Sequence, residues 1–347
     1  MTAVPSPGHR PADPVPALSL PSPAPAESAP VVVLGECVAD AFTVSPQAVP
    51  SPAPAGGGLD LRVLPGGGPA NTAVALARLG TDSRFLGRLS DDVFGRMFRA
   101  HLASSGVGLA GAPTASEPST LAVADLDAEG RAVYSFHARG TADWQWTRDE
   151  LRAGLPDRLA CLHTGSLALM MAPGAELVEE LLREVRPRTT VSLDPNVRPL
   201  LIDPALYRAR LPKWCEVADI VRVSDDDLAH LAPDRTPEQA ADDWHALGAR
   251  LVVVTLGASG VFASLDGTRL RVPSPRTTVV DTVGAGDAFT AGLLHALRSA
   301  GELGARLDTL TADVLRAALE TGTRVAAATV AVRGANPPWA HELRTVA

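Results

Sequence analysis

The 347-residue sequence predicts an α/β fold, a doubly wound and mostly parallel sheet flanked by helices. Three observations carry this. Short apolar runs alternate with helical stretches, as βαβ units require. The runs are apolar at nearly every position, as strands covered on both faces are. Each run ends on polar, Gly or Pro residues, and in such sheets ligands sit beyond the carboxyl ends of the strands.

The elements follow in order. Residues 1–30 hold nine prolines among Ser and Ala. They bury too little apolar surface to fold and read as a disordered tail, with the folded domain over 31–345. VVVLG, from Val31, is a buried strand. Pro46 to Gly58 (PQAVPSPAPAGGG) reads as a loop or extension. PANTAVALARLG (69–80) puts Ala70, Ala73, Val74 and Ala77 on one helical face, with Pro69 in the first turn and Gly80 at the stop. SRFLGRL (83–89) reads as a strand. LAVADLDAEGRAVYSFH (121–137) is two β-like runs around DAEG, a hairpin. Apolar runs at 159–167, 189–196, 219–224 and 250–257 are further strands, separated by helices around 173–186, 203–216 and 236–247. A helix starts near Ala285. VAAATVAVRGANPP (325–338) is a helix with a small-residue face, then a turn.

Composition excludes several functions. No run approaches the roughly eighteen apolar residues of a membrane span, and no basic stretch precedes an apolar core at the N-terminus, so a cytoplasmic protein is expected. Cys37, Cys161 and Cys215 are widely spaced and odd in number, which reads as free thiols. A net charge of −8 argues against a nucleic-acid surface. Lys213 is the only lysine, in LPKWCEV, so neither a GK[ST] phosphate loop nor a strand-borne kinase lysine is present. GECVAD after the first strand lacks GxGxxG, which sets aside a dinucleotide-dependent oxidoreductase. Eight histidines show no HxH or HExxH spacing, and no transition-metal site is expected.

DTVGAGDAFTAG (281–292) carries the chemistry. Ala285, Ala288, Phe289, Gly292 and Leu293 fall at helical spacing. The N–H groups of Gly284, Ala285, Gly286 and Asp287 therefore precede the first helical turn without intrahelical partners. The helix dipole adds roughly half a positive charge there. Such a turn suits a transferring phosphoryl group. Asp287 sits in the same field, which is expected to keep it ionised with a low pKa and ready to accept a proton from an attacking hydroxyl.

DTVGAGDAFTAG resembles the C-terminal signature of the ribokinase-like, or PfkB, carbohydrate kinases. LPGGGPANTAVALARLG, with GRLSDDVFG after it, resembles their N-terminal signature. The resemblance runs in order from about Val31 to Pro338. It implies ATP-dependent phosphorylation of a sugar or nucleoside hydroxyl, with Mg²⁺ and often K⁺. It also implies a small β-sheet lid, here in segments about 41–65 and 118–140, through which relatives often pair, so a homodimer is expected. The Gly66–Gly68 turn lets backbone approach a polyol. By the resemblance Asp40, Gly67, Gly68 and Asn71 form the sugar pocket. Phe136 and Arg139, returning from the hairpin in FHARGTAD, are further sugar contacts or a simple hairpin edge.

In DPNVRP (194–199), Asn196 and Arg198 can reach the transferring phosphate or the substrate, and Arg198 is the preferred side-chain cation. VRVSDDDL (221–228) stands where many relatives carry Asn-x-x-Glu. Here Ser224 is assigned to the ATP site and Asp227 to Mg²⁺ through water; a helix N-cap with an acidic first turn is the competing reading. TLGASG (255–260) resembles the ATP-site turn, with Thr255, Gly257 and Gly260 near the nucleotide. The small residues of 325–338 leave room for adenine. The RGANPP turn with Asp281 and Val283 resembles the K⁺ site. The phrases FHARGTADWQW and HTGS resemble fructokinase-like members, which makes D-fructose the first acceptor. Ribose, 2-keto-3-deoxygluconate and adenosine stay open, as does a catalytically silent sugar-binding regulator.

Overall fold

The computed structural model describes residues 29–43, 58–126 and 132–343. The expected tail up to residue 28, the proline-rich stretch 46–57 and the DAEG turn lie outside them.

The chain opens with β1 (Val31–Leu34), β2 (Val38–Thr43) and β3 (Leu61–Gly66), then α1 (Gly68–Arg78) and β4 (Ser83–Leu86). The expected strand 83–89 is two pieces. After β4 the chain turns at Gly87 and forms β5 (Leu89–Ser90), which leads to α2 (Val93–Ser104) and to β6 (Thr114–Ala115), the parallel partner of β5. A Cβ on Gly87 would lie 2.1 Å from the Phe85 ring, which is why glycine marks the break. The hairpin follows as β7 (Leu121–Leu126) and β8 (Ala132–His137), antiparallel with Leu121 opposite His137.

Then come α3 (Arg148–Ala153), β9 (Cys161–Gly165), α4 (Gly174–Val185), β10 (Thr190–Asp194), α5 (Pro204–Val217) and β11 (Ile220–Ser224). They are followed by α6 (Asp225–Leu231), α7 (Pro237–Leu247), β12 (Leu251–Thr255), β13 (Val261–Leu265) and β14 (Thr268–Val272). The chain closes with α8 (Ala285–Ser299), α9 (Ala312–Val330) and α10 (Ala340–Leu343). The helix read from the small residues near 325 is thus the end of the longer α9.

The main sheet has eight strands in the order β14-β13-β12-β11-β10-β9-β1-β4. Pairing is parallel from β4 to β12 and antiparallel at β13 and β14. Side chains alternate between two cores. Val31, Val33, Leu251 and Val253 pack with α1, α8 and α9, while Val32, Leu34, Val252 and Val254 pack with α4, α5 and α7. Both faces are covered, which is why these strands are apolar throughout. Each buried Val or Leu contributes about 1.5–3 kcal/mol relative to exposure.

A second sheet, β3-β2-β7-β8, is built from the two segments assigned to the lid. Its inner strand β2 follows β1 after three residues, so it stands directly over the carboxyl end of the main sheet. Helix starts divide by position. Asp92, Thr147, Asp203, Ser224, Thr236 and Thr311 cap α2, α3, α5, α6, α7 and α9 with their side chains. Gly67, Pro173 and Gly284 precede α1, α4 and α8 with no side-chain cap, and of these the α1 and α8 starts line one cavity.

Candidate active site

α1 and α8 bring their first turns together over the carboxyl ends of β1, β9 and β10. Asn71, in the first turn of α1, donates from Nδ2 to Oδ2 of Asp287 at 2.9 Å. A Cβ on Gly68 would sit 3.0 Å from Nδ2 of Asn196 and 3.1 Å from Oδ1 of Asp287. One glycine thus keeps open the space between those two side chains. Gly66 makes room in the same way, since its Cβ would lie 1.9 Å from Oδ2 of Asp40. Gly67 has φ 100°, and its Cβ would meet the Glu36 carbonyl at 2.7 Å. The glycine turn is therefore required by the packing of Asp40 and of the β1–β2 connection.

Asp40, Gly67, Gly68 and Asn71 line a cavity of about 390 Å³ with Glu36, Phe136, Asn196, Arg198, Ser224, Asp227 and the 282–287 turn. A second cavity, about 610 Å³, lies on the other side of that turn. Its walls include Thr255, Gly257, Gly260, residues 274–277, Phe289, Ala326, Ala327 and Val330. The small face of α9 does leave this room. Arg222, Thr282, Ala285 and Gly286 belong to both cavities. The two cavities therefore meet at the start of α8.

Gly284 takes φ 77°, and its Cβ would be 2.7 Å from that of Ala335. The backbone N–H groups of Gly284, Gly286 and Asp287 have no protein partner among the described residues, whereas the Ala285 N–H donates to the Thr282 carbonyl at 3.2 Å. Three of the four amides expected to be free are free. Ala285 is spent on closing the turn that aims the others.

Asp287 is half-buried, and its pKa is pushed up to about 6. Burial is the largest cause and the nearby Asp194 adds to it, while the Asn71 bond, Arg222 and Arg198 oppose them. The sequence reading expects the helix start to hold this pKa low. Loss of water around the carboxylate outweighs the dipole. Asp40 is likewise raised to about 6 and Glu36 to about 7, both chiefly by burial. Glu36 is 2% exposed, and its Oε2 has no partner among the described residues. Ser166 and Asn196, at the ends of β9 and β10, take left-handed φ of 54° and 43°. Both face the first cavity, where such strain concentrates.

Asp227 is a committed cap. Its Oδ2 accepts from the Ser224 N–H at 3.0 Å and from the Ser224 hydroxyl at 2.6 Å, and its Oδ1 accepts from the Val197 N–H at 2.8 Å. Ser224 lines the first cavity rather than the second. Asp281 accepts from the Val283 N–H at 3.1 Å and from the Gly334 N–H at 2.8 Å, which brings the RGANPP turn to the 281–283 segment. Arg139 is exposed and stands outside both cavity linings.

The sequence reading gives no role to two side chains of the site. Glu36 follows the first strand and carries no motif of its own. Arg222 is 5% exposed, in the middle of β11. It donates from Nη1 to Asp194 at 2.7 Å and from Nη2 to the Thr255 hydroxyl at 2.6 Å. A charged residue inside the otherwise apolar run IVRV is the available signal. The 274–277 wall, in a stretch without periodicity, carries none.

The sequence is 38% identical over 234 residues to the fructokinase of Rhizobium leguminosarum bv. trifolii, covering 67% of this chain and 71% of that protein. It is 36% identical over 244 residues to the fructokinase of Klebsiella pneumoniae, covering 68% and 78%. The crystal structure of a Xylella fastidiosa fructokinase with bound ATP superposes with a TM-score of 0.80 at 28% identity, covering 91% of this chain and 97% of that one. An aminoimidazole riboside kinase from Salmonella enterica, complexed with aminoimidazole riboside and an ATP analogue, gives 0.75 at 26% identity, covering 91% and 98%. The match to the family itself, the pfkB family carbohydrate kinases, runs over residues 28–342, and the chain belongs to that family.

Proposed function

We propose that this sugar kinase transfers the γ-phosphoryl group of ATP to a hydroxyl of D-fructose, with Asp287 as general base. One observation carries the reading: a polar cavity and an apolar cavity meet at the α8 start, where Asp287 stands beside unpaired amides. The polar side suits a polyol, with Asp40, Asn71, Glu36 and Asn196 as hydrogen-bonding groups. The apolar side suits a nucleotide base, with Thr255 and Gly257 toward its phosphates and Gly260 toward the adenosine.

The acceptor oxygen attacks the γ-phosphorus, and the bond from that phosphorus to the β,γ-bridging oxygen breaks. Its electron pair leaves with ADP, and the acceptor proton passes to Asp287. The Gly284, Gly286 and Asp287 amides hold the group in transit. Arg198, exposed at the cavity rim and without an ion-pair partner among the described residues, suits the acceptor or its phosphorylated product. Closure of the smaller sheet over the polyol excludes water that would otherwise compete for the phosphoryl group.

The residues fit a hydrated Mg²⁺ better than a directly ligated one. Among the described residues no cluster of three metal-ligating side chains exists, and Asp227 has one lone pair left, on Oδ1. Asp194 Oδ1 is buried without a partner and can accept from a metal-bound water. Bound with the nucleotide, Mg²⁺ neutralises phosphate charge. The Asp281, Val283 and Gly334 segment is the place for K⁺; a Vibrio cholerae fructokinase double mutant was solved with fructose, ADP and potassium ion.

D-fructose is favoured by the named relatives and by the cavity. Among its described lining residues Phe136 is the one aromatic ring, which gives a nucleoside base little to stack on. Ribose, 2-keto-3-deoxygluconate and adenosine are the competing acceptors. ADP release measured with all four side by side tests the reading. The highest kcat/KM is expected with fructose. A preference for adenosine would replace the acceptor, and no turnover with any sugar would leave a sugar-binding regulator.

A further inference from the structure

We propose that Arg222 is the cation that contacts the γ-phosphoryl group in transit, reaching it from beneath the α8 turn. The inference rests on the kinase reading above and assigns to Arg222 the phosphate contact first expected of Arg198.

Arg222 stands where the two cavities join, and its guanidinium lies against the amide turn. A Cβ on Gly286 would come within 2.7 Å of Nη1 and 2.8 Å of Nη2. Gly286 supplies one of the unpaired N–H groups of that turn. The guanidinium and the amides thus share one small volume, and both are donors only.

The side chain is held from both sides. Asp194 grips Nη1 and the Thr255 hydroxyl accepts from Nη2, while the Phe289 ring lies 5.9 Å from the guanidinium carbon. Thr255 ends β12 on the nucleotide side, and Asp194 ends β10 on the acceptor side. A guanidinium has five N–H donors. These two bonds use one donor on each Nη. The Nε–H is buried with no partner among the described residues. Both Nη atoms lie against the Gly286 backbone, and Arg222 and Gly286 line both cavities, so an anion beside that turn meets the guanidinium and the amides together. A phosphoryl group on the route from one cavity to the other occupies that position.

Arg198 differs on each of these counts. It is exposed, and its guanidinium donates to the neighbouring Val197 carbonyl at 3.3 Å. Its charge acts on Asp194 and Asp287 as well as on Glu36, Asp40 and Tyr207, but it lines the first cavity and not the second, which puts it on the acceptor side of the site.

The alternative is that Arg222 only neutralises Asp194 and braces the strands. Binding separates the two. Calorimetric titration of ADP and of AMP-PNP, each with Mg²⁺, is run on the full-length chain and on Arg222→Lys and Arg222→Gln. A γ-phosphoryl contact predicts that AMP-PNP weakens by about tenfold or more relative to ADP in Arg222→Gln, the scale of a lost charge-assisted bond. Arg222→Lys retains the charge, loses the planar fork, and should weaken AMP-PNP alone by several-fold. kcat with the preferred sugar should fall by about 10²–10³-fold in Arg222→Gln, with the sugar KM within about threefold. An unchanged ratio of the two affinities in both variants overturns the proposal, as does near-normal kcat in Arg222→Gln. If removal of the charge leaves Asp194 unpaired and Arg222→Gln does not fold, the ratio in Arg222→Lys decides alone. Absence of turnover in the unaltered chain would count against the kinase reading and leave the affinity ratio measurable.

Discussion

Asp287 and Asn71 are 216 positions apart and share a 2.9 Å hydrogen bond. At this scale the chemistry is set by what surrounds one carboxylate. Asp287→Asn retains the shape and the contact with Asn71 but cannot take up the acceptor proton. A fall in kcat of about 10²–10⁴-fold is expected, with sugar binding still measurable by calorimetry. Turnover near that of the unaltered chain would remove Asp287 from its role. The raised pKa sets the pH dependence. Asp287 acts as base only when ionised, so kcat/KM should fall about tenfold per pH unit below roughly pH 6. A profile flat down to pH 5 would show that the carboxylate keeps its ordinary affinity for protons. The residue types at 284–287 are legible from sequence. The protonation of Asp287 is not, because its largest determinant is burial by residues from other elements.

Among elements, the pairing of α8 with α9 holds the amide turn in place. Gly292 and Gly322 let the two helices touch: a Cβ on Gly292 would lie 2.8 Å from the Gly322 Cα. Gly292→Ala forces them apart and should cost about 1–3 kcal/mol, read as a lower urea midpoint. An unmoved midpoint would mean the helices can separate freely. Strands and helices of the βαβ part are readable because one period, buried and apolar, persists through each. The antiparallel β13–β14 hairpin is missing from the sequence reading although its signal is present. Asp266 and Gly267 take φ of 45° and 90° in a two-residue turn between Leu265 and Thr268, and an Asp-Gly pair between apolar runs is what such a turn selects. Thr114–Ala115 carries no comparable signal, being a two-residue strand defined only by its partner.

Across the whole molecule, buried acids shape stability. Glu36 is raised to about 7, and Asp143 and Asp219 to about 6, each chiefly by burial. At these groups the folded state therefore binds more protons than the unfolded chain between about pH 4 and 7, while His101, His163 and His295, each lowered chiefly by burial, act in the opposite sense. The stability these acids contribute is fully present below about pH 4 and is lost as the pH rises through 6 to 7. The urea midpoint of the unliganded protein should fall from pH 5 to pH 7.5; a steady rise would contradict the assignment. The doubly wound sheet, the two glycine turns and the carbohydrate-kinase family are all written in the order of residues, because they depend on local periodicity and on backbone that only glycine permits. Folding in three dimensions was needed to decide that Asp287 is raised rather than lowered, that Asp227 is a cap, and that Arg222 lies beneath the amide turn. Desolvation and charge act through space, among β10, β11, β12 and α8, and their order along the chain does not encode those distances.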